Sequence, residues 1–178
     1  MEKSYITRDP RTVQYFYDTE FLDKGDTVEL ISIGIACTDG RTYHAHVGGY
    51  DLAAAWASPF LARNVLPHLE DMEPKSRDTV AEEVKEFLYA DPRIIDLWGW
   101  FPAYDHLLLS NLYGGFLKTP VRLPKRTNCV AQHAQTFRAT VPPVSTSHSA
   151  LSDAIETMEA FEHIEETIAL RGGRVTPF

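Results

Sequence analysis

Cysteine is scarce in this sequence, and its scarcity excludes several kinds of site. Among 178 residues only Cys37 and Cys129 occur, and neither forms a Cys-x-x-Cys pair or another spacing typical of zinc ligands. Apolar neighbours lie beside both residues. We therefore expect two buried free thiols and no cysteine-based metal site.

The chain also lacks a long hydrophobic run. No stretch approaches the roughly 20 apolar residues that a membrane-spanning helix needs, and residues 1–11 alternate in charge instead of forming an apolar signal region. We therefore expect a cytoplasmic protein with no membrane contact. With 44% hydrophobic and 11% aromatic residues, the chain suits a single domain over residues 1–178, with residues 1–12 as a loose N-terminal extension.

Acidic residues are missing from one long segment, although the chain as a whole is acidic. The net charge of −8 argues against a generally basic surface for nucleic acid. Between Asp105 and Asp153, however, no acidic residue occurs, and this basic segment contains Lys118, Arg122, Lys125, Arg126 and Arg138. The segment could contact phosphates or could be a solvated loop, and the sequence leaves both open.

The hydrophobic pattern predicts three strands followed by alternating helices and strands. The strands are expected at residues 13–19, 28–37 and 42–47, with a hairpin turn at Asp39-Gly40. Helical pieces interrupted at Pro59 and Pro67 follow, and then a helix capped by Ser76 and a strand at 94–98. A short helix from Ala103 precedes a strand end and a helix within 127–137. The last helix is expected from Ser149 to about Leu170, where Gly172-Gly173 ends it. This order predicts an α/β fold with a mixed sheet.

Asp18 and Glu20 are the first candidate site residues. They come at the carboxyl end of the first strand, and residues two apart on a strand point to the same face. Such a pair of carboxylates suits Mg²⁺ or Mn²⁺ better than zinc. Two such ions about 4 Å apart can activate a water molecule for phosphodiester cleavage. By itself the pair could also be a turn with solvated acids.

Two further segments add to this pair. Tyr104-Asp105-His106 follows an apolar strand, and His148 precedes Asp153 by five positions at the start of the last helix. In this order and spacing, the three segments resemble the DEDDh 3'-5' exonucleases of the ribonuclease H-like superfamily, from about residue 13 to 170. The resemblance implies a ribonuclease H-like mixed sheet of five to six strands flanked by helices, and two bound Mg²⁺ ions that Mn²⁺ can replace.

The resemblance also implies a role for each residue. Asp18 would bridge both ions, Glu20 and Asp153 would complete the site near the ion that activates the nucleophile, and Asp105 would contact the second ion. His148 would be the general base, since histidine side chains in general can accept a proton at neutral pH. The residues expected at the substrate are Thr19, Phe21, Phe101, Tyr104 and His148.

The residues at and around the motif positions indicate which members of the family the chain most resembles. Phe21-Leu22 follow Glu20 where many relatives have Thr-Gly, and Phe101 stands where many have asparagine. The Asp-Thr-Glu-Phe motif at 18–21 and the aromatic context at 98–106 most resemble the RNase AS exoribonucleases, which favour adenosine-rich RNA and form homodimers. The resemblance thus implies a homodimeric enzyme that trims single-stranded RNA to nucleoside 5'-monophosphates.

Three alternatives stay open at this point. The same fold could act on single-stranded DNA, could bind nucleic acid without turnover, or could be an acidic Ca²⁺-binding or protein-interaction domain. Among the other candidates, Trp98 is expected in the core, and Trp100 either packs or stacks on bases. His44 and His46 lack a third metal ligand nearby, and His106, His133 and His163 are expected to make only local or surface contacts.

Overall fold

The computed structural model describes residues 9–143 and 147–171. The strands are β1 (Thr12–Asp23), β2 (Val28–Cys37), β3 (Thr42–His46), β4 (Ile94–Gly99) and β5 (Asn128–Cys129). The α-helices are α1 (Leu52–Ala57), α2 (Pro59–Asn64), α3 (Arg77–Tyr89), α4 (Ala103–Leu112), α5 (Val130–Phe137) and α6 (Ala150–Leu170), and short 3-10 turns cover Leu66–Leu69 and Phe116–Lys118. The expected stop of the last helix at Gly172-Gly173 and most of the expected N-terminal extension lie outside the described residues.

The central strand of the sheet is β1. The strand order is β3-β2-β1-β4-β5, with β1 antiparallel to β2 and parallel to β4. The first three strands form hairpins, and at the second turn the Gly40 amide donates to the Cys37 carbonyl at 2.9 Å. The predicted α/β fold with a mixed sheet flanked by helices is confirmed, with five strands in the described part of the chain.

Opposite faces of the sheet carry different parts of the core, because successive residues of a strand point to opposite sides. Tyr15 and Tyr17 of β1 belong to the larger core under α3 and α4. The residues that these two helices contribute to it are Val80, Ala81, Val84, Leu88, Leu108, Leu109 and Leu112. Phe16, between Tyr15 and Tyr17 in sequence, packs on the other face with Phe161 and Ile164 of α6. Asp18, two residues after Phe16 on the same strand, therefore faces the α6 side as well.

Several local predictions agree with the structure, and three need correction. Residues 28–37 form β2 as predicted, and the Ser76 side chain caps α3 by accepting from the Thr79 amide. β1 is longer than predicted because it stays paired with β2 as far as Asp23. Ser149 precedes α6, but within the described residues its side chain makes no capping hydrogen bond.

The third correction concerns the cysteines. Cys37 is a buried free thiol as predicted, whereas Cys129, in the short edge strand β5, is only partly buried. An edge strand has a neighbour on one side only, so its side chains are less completely covered.

Among the described residues, no helix is both long and apolar enough to cross a membrane.

Candidate active site

Asp18 and Glu20 lie where the neighbouring strand ends. The parallel pairing of β1 with β4 stops at Phe16 opposite Trp98, so both carboxylates project beyond the carboxyl end of β4. In an α/β sheet this edge is where ligands bind, because the helices that follow the strands leave a crevice there. The long strand β1 therefore presents its two acids in the open end of the sheet.

Asp105 reaches the same edge from the first turn of α4. The Thr19 amide donates to Asp105 Oδ1 at 2.9 Å, and the Thr19 hydroxyl donates to the same oxygen at 2.5 Å. Asp105 is only 7% exposed and Thr19 only 4%. Thr19, expected at the substrate, is thus buried, and its hydroxyl instead orients the carboxylate of Asp105.

Asp153 and the segment before it are brought to the site by the packing of α6. A Cβ on Gly34 would overlap the backbone of Ala150 and Leu151, so the helix begins in direct contact with β2. Gly34 is the cross-strand partner of Asp18. The absence of a side chain at Gly34 therefore allows the start of α6 to lie beside Asp18.

The loop before α6 holds one carboxylate oxygen of Asp153. The Ser147 hydroxyl donates to Asp153 Oδ1 at 2.9 Å. Between these two residues lies His148, whose backbone φ of 53° is in the left-handed region that few residues other than glycine adopt. This turn directs His148 back toward the carboxylates.

Glu20, His148 and Asp153 form a compact group of possible metal ligands. One ligand atom from each lies within 4.8 Å of those of the other two. Two carboxylates and an imidazole, with no cysteine, match the preference of divalent cations for oxygen and nitrogen donors. This convergence from β1 and from the start of α6 is the central geometric feature of the site.

The negative charges of the site are poorly compensated by the protein. Burial raises the pKa of Asp18 well above its ordinary value, and the charges of Asp105, Glu20 and Asp153 raise it further. For Glu20, burial and then the charges of Asp153 and Asp105 raise the pKa to about 8. Divalent cations at these carboxylates would remove this cost, so the residues fit metal binding.

The other two carboxyl groups are partly stabilised by hydrogen bonds. Burial raises the pKa of Asp105, and the hydrogen bonds from Thr19 oppose that rise. Burial also raises the pKa of Asp153, against the opposing hydrogen bond from Ser147. Thr19 therefore holds one oxygen of Asp105, and Ser147 holds one oxygen of Asp153. Each hydrogen bond favours the ionised form of the carboxylate that accepts it.

A cleft of about 600 Å³ opens beside this group. Glu20, Phe21, Phe60 and His148 are among its lining residues. The Phe60 ring, from α2, meets the His148 imidazole edge-on, with 4.7 Å between ring centroids and an interplanar angle of 72°. The cleft thus connects the possible metal ligands with an aromatic wall.

The aromatic residues near Asp105 divide into exposed and packed ones. Phe21 and Tyr104 stack on each other with centroids 5.1 Å apart, and Tyr104 is 49% exposed. Phe101 is 61% exposed at a φ of 52°. Trp98 and Trp100 instead pack against the core under α6, as expected for Trp98. Phe21, Tyr104 and Phe101 are therefore the residues of this group that a substrate can reach.

Thr127 connects the first two motifs through hydrogen bonds to a residue beside each. The Thr127 hydroxyl lies 2.5 Å from the Tyr17 hydroxyl and 3.0 Å from His106 Nδ1. Tyr17 precedes Asp18 and His106 follows Asp105, so this hydrogen-bond network holds together the backbone on which both acids stand. The hydrogen bond of His106 therefore reaches a residue 21 positions away in the sequence and is more than the local contact expected.

The basic segment divides in the same way. Arg122 donates to the carbonyls of Asp91 and Arg93 and covers the Tyr89 ring, and Lys125 donates to Phe116 O at 2.8 Å. These two cations therefore hold the loop together. Lys118 and Arg126 are exposed as Arg122 and Lys125 are, but their side chains make no hydrogen bond or ion pair with other described residues.

Two expectations about histidines are refined by the structure. His46 contacts the Met72 carbonyl and the Tyr50 hydroxyl, so both ring nitrogens have protein partners. The expectation that His133 lies on a helix surface is wrong, because its side chain is partly buried and packs against Trp98 and Phe161. His133 Nε2 lies 2.7 Å from Glu165 Oε1. The cause is the packing of α5 against α6.

Four contributors to the site were missed by the sequence analysis. They are Gly34, Phe60, Thr127 and Ser147. Ser147 offers the best signal, because a hydroxyl just before a helix often bonds to a group in the first turn. Phe60 lies 40 residues from Glu20, the candidate metal ligand nearest to it in the sequence, and only the folded chain shows its proximity to the site.

Comparison with known proteins gives one family. A family model described as a 3'-5' exoribonuclease Rv2179c-like domain matches residues 13–165. Two curated proteins from Mycobacterium tuberculosis, 3'-5' exoribonuclease MT2234.1 of strain CDC 1551 / Oshkosh and 3'-5' exoribonuclease Rv2179c of strain ATCC 25618 / H37Rv, are each 34% identical to the chain over 160 residues. Each match covers 87% of this chain and 95% of the relative.

A solved structure has a similar fold. A product-bound structure of exonuclease I superposes with a TM-score of 0.51 at 12% identity, over 92% of this chain. The match covers 44% of the exonuclease I chain, so this protein spans less than half of that length. At this identity the similarity shows the shared fold, which is the ribonuclease H-like sheet predicted from the motifs.

Proposed function

The chain belongs to the family of Rv2179c-like 3'-5' exoribonuclease domains, and we propose that it releases nucleoside 5'-monophosphates from the 3' end of single-stranded RNA with the help of divalent cations. The observation that carries this proposal is the convergence of Glu20, His148 and Asp153 within 4.8 Å. Asp18 and Asp105 stand beside this group and influence its electrostatics.

The four carboxylates would hold the cations. Asp18 would contact both ions, Glu20 and Asp153 would bind on the side of His148, and Asp105 would bind on the side of α4. When bound, Mg²⁺ supplies charge neutralisation and activation of water for phosphodiester hydrolysis, and Mn²⁺ has the same preference for oxygen ligands. The Thr19 and Ser147 hydroxyls each hold one oxygen of a carboxylate, which leaves the other oxygen for a cation.

His148 would take the proton from the attacking water. Its position within reach of Glu20 and Asp153 is consistent with this role, because a general base must lie close to the nucleophile. The half-buried setting beside Phe60 keeps part of the imidazole covered. Phe101 and Tyr104 would contact the RNA through their exposed rings, and the partly buried Phe21 would do so where it lines the cleft, since unstacked bases bind to aromatic faces.

Finer properties of the enzyme belong to the same proposal. They are a preference for adenosine-rich RNA, a homodimeric state and a cytoplasmic location, all of which follow from the family resemblance or from composition. Sedimentation of the purified chain tests the dimer, and competition between adenosine and uridine homopolymers tests the base preference.

Digestion of 5'-labelled single-stranded RNA and matched DNA tests the main activity. The expected result is a ladder that shortens from the 3' end of the RNA with Mg²⁺ or Mn²⁺, disappears with EDTA and is absent for Asp18→Ala. Preferential shortening of the DNA would change the assigned substrate. Intact oligonucleotides with every metal, together with retained RNA binding, would favour a non-catalytic binding module.

A further inference from the structure

Ser32 has a buried hydroxyl without a hydrogen-bond partner in the described structure. The residue lies in the middle of β2 and is only 1% exposed. Within residues 9–143 and 147–171, no group donates to its Oγ atom or accepts from it. A buried polar group without a partner costs stability, and native proteins contain few of them. The Ser32 hydroxyl is therefore available to a partner in another state of the site.

The strand register places two residues directly beside Ser32. Glu20 of β1 is its cross-strand partner on one side, and His46 of β3 is its partner on the other. The side chains of such partners lie on the same face of the sheet, with Cβ atoms about 4.5–5.5 Å apart. A glutamate or histidine side chain is long enough to cover that distance. Glu20 and His46 are therefore the first candidate partners of the hydroxyl.

Of these two neighbours, Glu20 is the one with unused hydrogen-bonding capacity. The ring nitrogens of His46 already lie 3.1 Å from the Met72 carbonyl oxygen and 3.0 Å from the Tyr50 hydroxyl. Glu20 is 8% exposed, and its carboxylate accepts no hydrogen bond from the described part of the chain. An ionised carboxylate can accept several hydrogen bonds. Glu20 is therefore the neighbour that fits the unpaired hydroxyl.

His44 offers a competing explanation. Its Nε2 atom is also buried and without a partner among the described residues. His44 pairs with Gly34, two residues after Ser32 on β2, so it lies diagonal to Ser32. Diagonal neighbours are about 7–8 Å apart, and a water molecule could connect the two side chains. Such a water would make the Ser32 hydroxyl a structural group with no connection to cation binding.

Two other carboxylates of the site are already held by a hydroxyl. Asp105 Oδ1 accepts from the Thr19 hydroxyl, and Asp153 Oδ1 accepts from the Ser147 hydroxyl. In both cases the protein holds one oxygen of the carboxylate and leaves the other for a cation. A hydrogen bond from Ser32 would give Glu20 the same arrangement.

We propose that Ser32 is a positioning residue for Glu20, and that its hydroxyl donates to one carboxylate oxygen when the other oxygen binds a divalent cation. This inference rests on the proposed role of Glu20 as a metal ligand and adds to the site a residue outside the sequence motifs. The hydrogen bond orients the carboxylate, as outer partners of metal ligands commonly do. Without a cation the hydroxyl stays unpaired, so its cost falls on the metal-free protein.

Thermal unfolding in EDTA separates this role from a structural one. Ser32→Ala removes the hydroxyl and Ser32→Thr retains it. Ser110→Ala is the matched control, because Ser110 is also buried, at 4% exposure, and lies near the end of α4. We expect Ser32→Ala to be at least as stable as the wild type in EDTA, because it loses a buried group that has no partner there. A clear loss of stability, which a water shared with His44 predicts, overturns the proposal.

Calorimetric titration with Mg²⁺ measures the effect on the site itself. We expect Ser32→Ala to weaken Mg²⁺ binding about tenfold, while Ser32→Thr and Ser110→Ala bind like the wild type. The rise of Tm on addition of Mg²⁺ should also be smaller for Ser32→Ala, because the stabilisation by a ligand depends on its affinity for the folded state. Equal Mg²⁺ affinity of wild type and Ser32→Ala overturns the proposal. So does an equal loss in Ser110→Ala.

A double variant tests whether Ser32 acts through Glu20. In the Glu20→Ala background, Ser32→Ala should cause no further loss of Mg²⁺ affinity, since the carboxylate that it orients is absent. Losses that add would mean that Ser32 acts through another group, which overturns the proposal. None of these measurements requires turnover. A wild type that binds Mg²⁺ but shortens no RNA contradicts the exoribonuclease function instead, and the titrations still report on Ser32.

Discussion

The two halves of the candidate site are held by different kinds of structure. The carboxylate half, formed by Asp18, Glu20 and Asp105, stands on the central strand and on the first turn of α4, and Thr19 bonds directly to Asp105. The histidine half, formed by His148 and Asp153, stands on the start of α6 and on the turn before it, where His148 has a φ of 53°. One half is buried in regular structure, and the other depends on how one helix packs.

This difference separates metal binding from proton transfer. The carboxylates are placed by the sheet register and by hydrogen bonds between β1 and α4, so their spacing is determined before any ligand binds. His148 is placed by the packing of α6 on Gly34, by Ser147 and by an edge contact with Phe60. We therefore expect a change at His148 to affect turnover more than metal affinity, and changes at the four carboxylates, Asp153 included, to affect both.

Replacement of His148 by alanine gives the largest effect expected within this comparison. If His148 is the general base, kcat should fall about 10²- to 10⁴-fold, while calorimetric Mg²⁺ affinity stays close to that of the wild type. His163→Ala, a change in α6 away from the site, is the control. Since His148 lies within 4.8 Å of two carboxylates, a parallel loss of Mg²⁺ affinity would instead make it a metal ligand.

Replacement of Gly34 by alanine tests whether α6 determines the histidine half. The new Cβ would overlap the backbone of Ala150 and Leu151, so the helix must move. We expect destabilisation of about 1–3 kcal/mol and a loss of kcat of about 10²-fold, because small displacements of reacting groups are costly. Gly48→Ala is the control, since a Cβ there meets its nearest atoms at 3.4 Å. Unchanged activity in a folded Gly34→Ala protein would break the link between α6 and catalysis.

Replacement of Thr19 by valine tests whether the Thr19 hydroxyl orients Asp105 in the carboxylate half. Valine has a similar shape but cannot donate to Asp105, so the carboxylate loses its orienting hydroxyl. We expect Mg²⁺ affinity or activity to fall about 10- to 100-fold, as for other residues that orient metal ligands. Thr19→Ser should restore most of this loss in the same titration. If valine and serine behave alike, the backbone hydrogen bond alone orients Asp105.

The pH dependence of stability gives the smallest effect and concerns the carboxylate half alone. The folded-state pKa of Glu20 is raised to about 8 from 4.5, so the folded protein holds this proton more tightly than the unfolded chain. Its stabilising contribution is complete below about pH 4.5 and is lost as the pH rises through 8.

Thermal unfolding in EDTA at pH 5 and pH 8 measures this effect. We expect Tm of the wild type to fall by several degrees more than Tm of Glu20→Gln between these pH values, because glutamine cannot ionise. Added Mg²⁺ should reduce the fall for the wild type. Identical pH dependence in the two proteins would mean that Glu20 ionises without cost.

Local patterns predicted much of the fold. The β2 strand at residues 28–37 and the Ser76 cap follow from alternation and from a capping hydroxyl, which act over a few residues. The end of β1 and the burial of Cys129 and His133 did not follow, since strand length depends on the partner strand and burial depends on which helix packs nearby. The candidate site residues Asp18, Glu20, Asp105 and Asp153 could be proposed from the sequence because their order along the chain is itself the motif.

The sequence by itself determined which residue types are present, in which order and on which local elements: paired acids on a strand, an acid in the first turn of one helix and a histidine before another. Only the tertiary structure decided their surroundings. Thr19 against Asp105, α6 against Gly34 and Phe60 against His148 join residues 86, 116 and 88 positions apart. Such contacts depend on the packing of whole elements against the sheet, which no local pattern records.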